Sequence, residues 1–294
     1  MIFWAKALFD AANESNKNFG EYYDVIERAL YNIMLSSVTL QGDSYFYRNP
    51  LTSKGDDHHW SWNGCPCCPP MIHKLFGAFN DYIYAVKHNT CYVNLFVSSE
   101  AEIKLKNGSL ILKQESNYPW SGNIKFTVKE TSGSDIKIAL RLPNPTAGNN
   151  GYKIIENIKT GDKFELNIDM TVNRVQAHPY VRQNRKHVAV QRGPLVYCAE
   201  GIDNSGKIDF IIAEEPEFTE TYEKDLLGGI ITIKVKDSVN RQFKMIPLYA
   251  WDNRMACPMR VWFEQENMPV LNDEDFKYNK FHWDDNRRPY RIFY

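Results

Sequence analysis

Two hydrophobic rhythms divide the chain. Over roughly the first 90 residues, apolar positions recur three and four apart. Val25, Ile26, Ala29, Leu30, Ile33 and Met34 fall on one helical face. Ile72, Leu75, Phe76, Phe79 and Ile83 repeat the pattern after Pro69-Pro70, and prolines suit a helix's first turn, where a missing N–H costs nothing. Met1 to Phe9 reads as the end of an amphipathic or buried helix. The asparagine-rich stretch from Asp10 to Gly20 predicts a loop, Gln41-Gly42-Asp43 a turn, and Thr52 to Pro70 a long loop.

From Cys91 the period shortens to two. Tyr92, Asn94 and Phe96 face one way, and Val93, Leu95 and Val97 the other. Short runs follow at Ile103–Leu105, Leu110–Lys113, Ile124–Val128, Ile136–Leu142, Phe164–Ile168, Val188–Val190, Leu195–Cys198, Phe210–Ala213, Ile230–Val235 and Met259–Trp262. Turn residues such as Asn107-Gly108, Asn150-Gly151 and Thr160-Gly161-Asp162 separate them. Short strands at this spacing predict one antiparallel sandwich or two in series. The expected fold class is therefore α+β and multidomain. Residues 1–90 are helical, 91–178 form a β-sandwich, and 179–263 form a second sandwich or its continuation. The break falls near Ala177-His178-Pro179, and the aperiodic, aromatic tail 264–294 stays unassigned.

Composition narrows the function classes. Lysine plus arginine number 35 and aspartate plus glutamate 36, a net charge of −1, so a nucleic-acid partner held by bulk electrostatics is not expected. No apolar run approaches the roughly 18 residues that a membrane span needs, and the N-terminus lacks the basic region of a signal peptide. That absence points weakly to the cytoplasm. Cys91, Cys198 and Cys257 read as buried strand thiols compatible with a reducing compartment.

The densest chemistry is Cys-Pro-Cys-Cys-Pro-Pro, Cys65 to Pro70. Neighbouring cysteines seldom satisfy disulfide geometry, whereas thiolates on a proline-stiffened loop suit zinc. Cys65, Cys67 and Cys68 supply three candidate ligands, with His58, His59 or His73 as a fourth. Pattern alone places Glu27 at a solvated helix edge and His58 and His59 in an exposed polar loop. It leaves Tyr47, Trp60 and Trp62 open between packing and sugar-facing roles.

A set of segments in fixed order resembles glycoside hydrolase family 127. They are ERALYN (27–32), YFYRNPL (45–51), CPCCPP (65–70), NYPWSGNI (117–124), QRGPLVYCAE (191–200), IPLYAWDNR (246–254) and MRVW (259–262). Its typical members are β-L-arabinofuranosidases. The resemblance implies the C-terminal helices of an incomplete (α/α)6 barrel, followed by antiparallel β-sandwich domains. It implies retaining hydrolysis of an arabinofuranose-containing glycan, with Cys67 as catalytic nucleophile and zinc ligand and Cys68 as a second ligand. Glu27 and Tyr47 match the sugar pocket, Cys65 is an extra candidate ligand, and the resemblance leaves room for a homodimer through a β-sandwich.

The family's other zinc ligands, in a Glu-x-Cys pattern, lie just upstream of the helix that here begins Met1-Ile2-Phe3-Trp4. Its general acid/base glutamate lies further upstream still. Met71 and Lys74 also stand where the family often has asparagine and arginine, and lysine lacks the planar fork of arginine. Met1 is therefore expected to be an internal methionine of a longer protein, with the chain inactive or nearly so alone. The competing expectations are a carbohydrate-binding β-sandwich without catalysis and a structural module whose cysteines bind zinc for folding.

Overall fold

The computed structural model describes residues 1–12, 19–62, 64–65, 67–143, 150–178, 181–268 and 291–293. The chain forms two compact units that interleave in sequence: Met1–Tyr31 with Pro66–Met170, and Asn32–Cys65 with Thr171–Tyr294. Of residues 32–65, Thr52–Ser53 pairs far downstream with Met259–Arg260, while Ser44–Tyr45 and Trp60–Ser61 pair with each other.

In the first unit, helix Ile2–Ala11 packs on helix Glu21–Ala29. The second helix carries Glu21 and Asp24 in its first turn and Arg28 in its last, which complements its dipole. Phe9 stacks on Phe19 at 4.4 Å and meets Tyr23 edge-on at 4.7 Å, and Phe19 reaches Tyr92 and Tyr152 of the neighbouring sheet. The Lys87 ammonium donates to the Phe9 and Ala12 carbonyls, satisfying acceptors that a helix end leaves open. Gly20 must lack a side chain, since a Cβ there would stand 2.9 Å from Gly151 Cα. Trp4 and Leu8 of the first helix remain exposed, as do Met71 and Phe76 of helix Pro69–Gly77. The helical pattern expected through Ile83 is interrupted after Gly77 and resumes as Asn80–Ile83.

Two four-stranded sheets complete this unit. One runs in the order Tyr152–Ile155, Lys137–Arg141, Thr90–Val93, Tyr84–Lys87; the other Lys163–Asn167, Asn123–Gly133, Gly108–Ser116, Ser99–Leu105. Val93, Ile138 and Leu140 of the first share one core with Leu110, Leu112, Ile124, Phe126 and Val128 of the second. The alternation read from sequence is thus the inward face of two packed sheets. The sandwich is not purely antiparallel, however. Thr90–Val93 and Lys137–Arg141 pair in parallel, since the chain passes through three strands of the other sheet before returning.

The second unit holds the larger sheet, with central order His187–Arg192, Leu195–Glu200, Gln242–Pro247, Ile230–Lys236, Phe218–Glu223. Val172–Ala177, unread in the sequence, pairs with His187–Arg192, and the backbone of Arg291–Phe293 lies parallel to it. Ile211–Ile212 pairs in parallel with Phe263–Gln265, a further departure from the antiparallel expectation. Of the unassigned tail, 264–268 and 291–293 are described, and the rest lies outside the described residues. Thr52–Ser53, inside the expected loop, is a short strand on Met259–Arg260. Cys91 and Cys198 are buried on strands as expected. Cys257 is not: it sits half-buried in the irregular segment before Met259, where the following proline disfavours strand pairing.

Candidate active site

The loop preceding the cysteines is well anchored within the second unit. Its start is pinned by Thr52–Ser53 on Met259–Arg260, with Val261 N–H donating to the Leu51 carbonyl at 3.0 Å. Trp60–Ser61 pairs with Ser44–Tyr45. Trp62 stacks on Tyr45 at 5.5 Å and donates its indole N–H to the Gly42 carbonyl. The Tyr45 hydroxyl donates to the Cys65 carbonyl at 2.6 Å, which fixes the backbone two residues before Cys67.

Cys67 is exposed, Cys68 half-buried, and their sulfurs stand 3.7 Å apart. Cys68 caps helix Pro69–Gly77, whose paired prolines start it abruptly and limit backbone freedom at the thiols. An ion about 2.3 Å from each sulfur would subtend an angle of about 107°, close to tetrahedral. The pair therefore fits half of a zinc ligand set. Among the described residues no group of three or more His, Cys, Asp or Glu side chains could hold a metal ion.

The remaining predicted residues go elsewhere. Glu27 is buried rather than at a solvated edge. It forms an ion pair with Arg141 at 2.5 Å, and the same guanidinium meets Asp24 at 2.5 Å and donates through Nε to the Asn94 carbonyl at 2.8 Å. Burial pushes the Glu27 carboxyl above its ordinary range against the opposing pull of Arg141. Tyr47 lies in the second unit, 45% exposed, its ring stacked on that of Trp60 (5.0 Å between centroids, 6° between planes), itself 44% exposed.

His58 and His59 both turn to Asp252. His59 Nδ1 lies 3.0 Å from Asp252 Oδ2 and His58 Nδ1 3.3 Å from Oδ1, and His59 backbone N–H donates to Oδ2 at 3.2 Å. His58 is exposed as expected, but the His59 side chain is buried against Phe46, which stacks on Trp251 at 4.6 Å. The loop is polar in sequence, yet Phe46 and Trp251 supply an apolar wall that this sequence neighbourhood does not reveal. Burial pushes the Asp252 carboxyl up, but the His59 and His58 donors outweigh it and leave the group below its ordinary value.

A carboxyl whose folded value is depressed stabilises above its unfolded value and loses that contribution as pH falls through the folded one. The contribution of Asp252 is thus intact above about pH 4 and lost below it. Acid titration of tryptophan emission is expected to show a component below about pH 4 that Asp252→Asn removes.

The sulfur pair, the aromatic loop and the two sheet units together define a helical segment bearing vicinal thiols, followed by β-domains. Three family models match in series. The β-L-arabinofuranosidase GH127 catalytic domain covers residues 1–81, the GH127 middle domain 90–187, and the glycoside hydrolase family 127 C-terminal domain 172–264. The chain belongs to glycoside hydrolase family 127.

A non-reducing end β-L-arabinofuranosidase of Bifidobacterium longum is 30% identical, over 83% of this chain and 45% of its own length. The crystal structure of Ara127N-Se, a GH127 β-L-arabinofuranosidase from Geobacillus stearothermophilus T6, superposes with a TM-score of 0.79 at 30% identity, over 90% of this chain and 48% of that one. The GH127 β-arabinofuranosidase BT3674 does so with a TM-score of 0.77 at 33% identity, over 84% and 46%. The chain spans about half the length of the relatives it matches.

Sequence reasoning missed Arg141, Trp251 and Asp252 as contributors around these residues. The signal for the last two was the IPLYAWDNR segment itself.

Proposed function

We propose that the chain carries part of the catalytic machinery of a retaining β-L-arabinofuranosidase acting on an arabinofuranose-containing glycan, with Cys67 as nucleophile. The observation that carries this reading is the pair of sulfurs 3.7 Å apart at the start of a helix, inside the segment matched by the catalytic-domain model. The Cys67 thiolate would attack the anomeric carbon as the glycosidic C–O bond breaks, forming a thioglycoside. Water would then displace the sulfur and restore the thiolate. Cys67 and Cys68 would hold the zinc, and when bound the ion supplies a low thiol pKa at neutral pH.

The exposed Trp4, Leu8, Met71 and Phe76 support reading these helices as a portion of a larger (α/α)6 barrel, since large apolar side chains left exposed on a helix can mark a face that meets a partner. The six cysteines, none in a disulfide, support a reducing, cytoplasmic setting.

The 294 residues alone are expected to turn over aryl β-L-arabinofuranosides poorly. Among the described residues no carboxylate joins the two sulfurs in a metal-holding group. A glycosidase working without its general acid forfeits about 10² to 10⁴ in rate. Steady-state release of 4-nitrophenol with zinc present checks this. Appreciable turnover by the purified chain, free of contaminating hydrolase, refutes the inactive reading. A second reading, carbohydrate binding without hydrolysis, is favoured by the exposed, stacked Tyr47–Trp60 pair, whose outer ring face is an apolar surface suited to a sugar ring. A glycan array with binding and no cleavage would select it.

A further inference from the structure

Two of the sequence segments that mark the family, QRGPLVYCAE and IPLYAWDNR, lie more than 100 residues beyond the cysteines. They meet in the second unit. Glu200, at the end of strand Leu195–Glu200, accepts from the Asp252 backbone N–H at 2.9 Å through Oε1, and its other oxygen pairs with Arg254. Arg254 also pairs with Asp203 at 2.5 Å. This brace holds Asp252 in the left-handed region, φ 56°, a conformation that aspartate tolerates better than most residues. From there the Asp252 carboxylate faces His58 and His59, and Trp251, Phe46 and His59 stack in series. Asn253 accepts from the Leu40 N–H at 2.8 Å, just before the turn that receives the Trp62 indole.

We propose that Asp252 and Trp251 are positioning residues for the cysteine loop. The AWDNR turn of the C-terminal sheet, braced by Glu200, clamps His59 and so fixes the limb that ends at Cys65. The inference rests on the reading of Cys67 and Cys68 as zinc ligands for its chemical consequence, and on the Asp252–His59 geometry for its structural one. His59 Nε2 is buried with no hydrogen-bond partner among the described residues. The imidazole is therefore oriented from the Asp252 side, and a second polar contact does not compete for it. Removing the carboxylate frees the His59 backbone N–H and ring together.

The test compares the wild-type chain with Asp252→Ala, Asp252→Asn and the control Glu220→Ala, which breaks an ion pair elsewhere in the same sheet. Amide hydrogen exchange of residues 58–65, without metal, is expected to quicken about tenfold or more in Asp252→Ala, the scale set by losing a hydrogen bond to a charged group. Strand Ile230–Lys236 should keep its wild-type protection. Zinc affinity, measured by chelator competition, is expected to fall about 10- to 100-fold, as for other groups that orient a ligand from behind. Asp252→Asn, which keeps one acceptor for His59, should recover most of both, and Glu220→Ala should change neither.

Unchanged exchange at 58–65 in Asp252→Ala overturns the proposal whether or not zinc binds. So does quickened exchange with wild-type zinc affinity. If Asp252→Ala exposes Ile230–Lys236 as well, His59→Gln replaces it under the same criteria. Zinc binding that survives Cys67→Ala defeats the reading of the sulfur pair instead, and exchange at 58–65 then decides the clamp alone.

Discussion

Arg141→Met is expected to destabilise the first unit by about 3–5 kcal/mol, the cost of stripping one partner from a buried ion pair. The guanidinium is fully buried, contacts the Asp24 and Glu27 carboxylates together and lies over the Phe96 ring. Methionine keeps the stem's packing and removes the charge, leaving two carboxylates buried side by side on one helix turn. Thermal denaturation checks this, and the midpoint should fall by roughly 6–20 °C. Glu27→Gln in the Arg141→Met background should recover part of the loss, because the two residues are coupled and their separate costs do not add. A midpoint within a degree of wild type in Arg141→Met would mean that the ion pair carries no net stability. Glu27 has therefore two claims on it. The family resemblance gives it sugar hydroxyls, and the fold gives it Arg141. A carboxylate so held is positioned by Arg141, which lies in the segment matched by the middle-domain model.

Cys67→Ala is expected to abolish the chemistry that the proposed function assigns to the loop. In the wild-type chain, a dinitrophenyl β-L-arabinofuranoside carries a leaving group that needs no protonation, so attack by Cys67 can proceed even where acid assistance is lacking. Peptide mass spectrometry should then find one anhydropentose on the peptide containing Cys67. Cys67→Ala should show none, and its zinc affinity should fall by more than the 10- to 100-fold typical of an outer contact. Cys68→Ala should also weaken zinc while leaving the labelled position unchanged. A sugar adduct on Cys65 or Cys68 in place of Cys67 would sink the assignment.

Local signals in the sequence carried far. The alternation of Leu110 and Leu112, and of Ile124, Phe126 and Val128, is the inward face of real strands, and Val25 to Met34 is a helix ending in a π-helical turn at Leu30–Met34. What the sequence hid is nonlocal. Strand Val172–Ala177 buries Arg174, Val175 and Gln176 in succession, so no two-residue rhythm announces it. The parallel pairing of Thr90–Val93 with Lys137–Arg141 depends on a partner nearly fifty residues away.

The site divides the same way. Cys-Pro-Cys-Cys-Pro-Pro declares itself by composition, because thiols and prolines at that density have few other uses. Arg141 sits at a strand end before Leu142-Pro143, where an exposed arginine is the ordinary expectation, and its acidic partners lie 114 and 117 residues earlier. His59 reads as a solvated loop residue because the carboxylate that claims it is 193 residues downstream.

The strand pairing of Thr52–Ser53 with Met259–Arg260 has a consequence for biosynthesis. A nascent polypeptide leaves the ribosome at about 5–20 residues per second, so this limb waits on the order of 10–40 s for its partner to be translated. The limb that precedes the vicinal thiols is thus synthesised early and paired late. Ribosome speed, more than the loop's own folding rate, sets how long that limb stays unpaired.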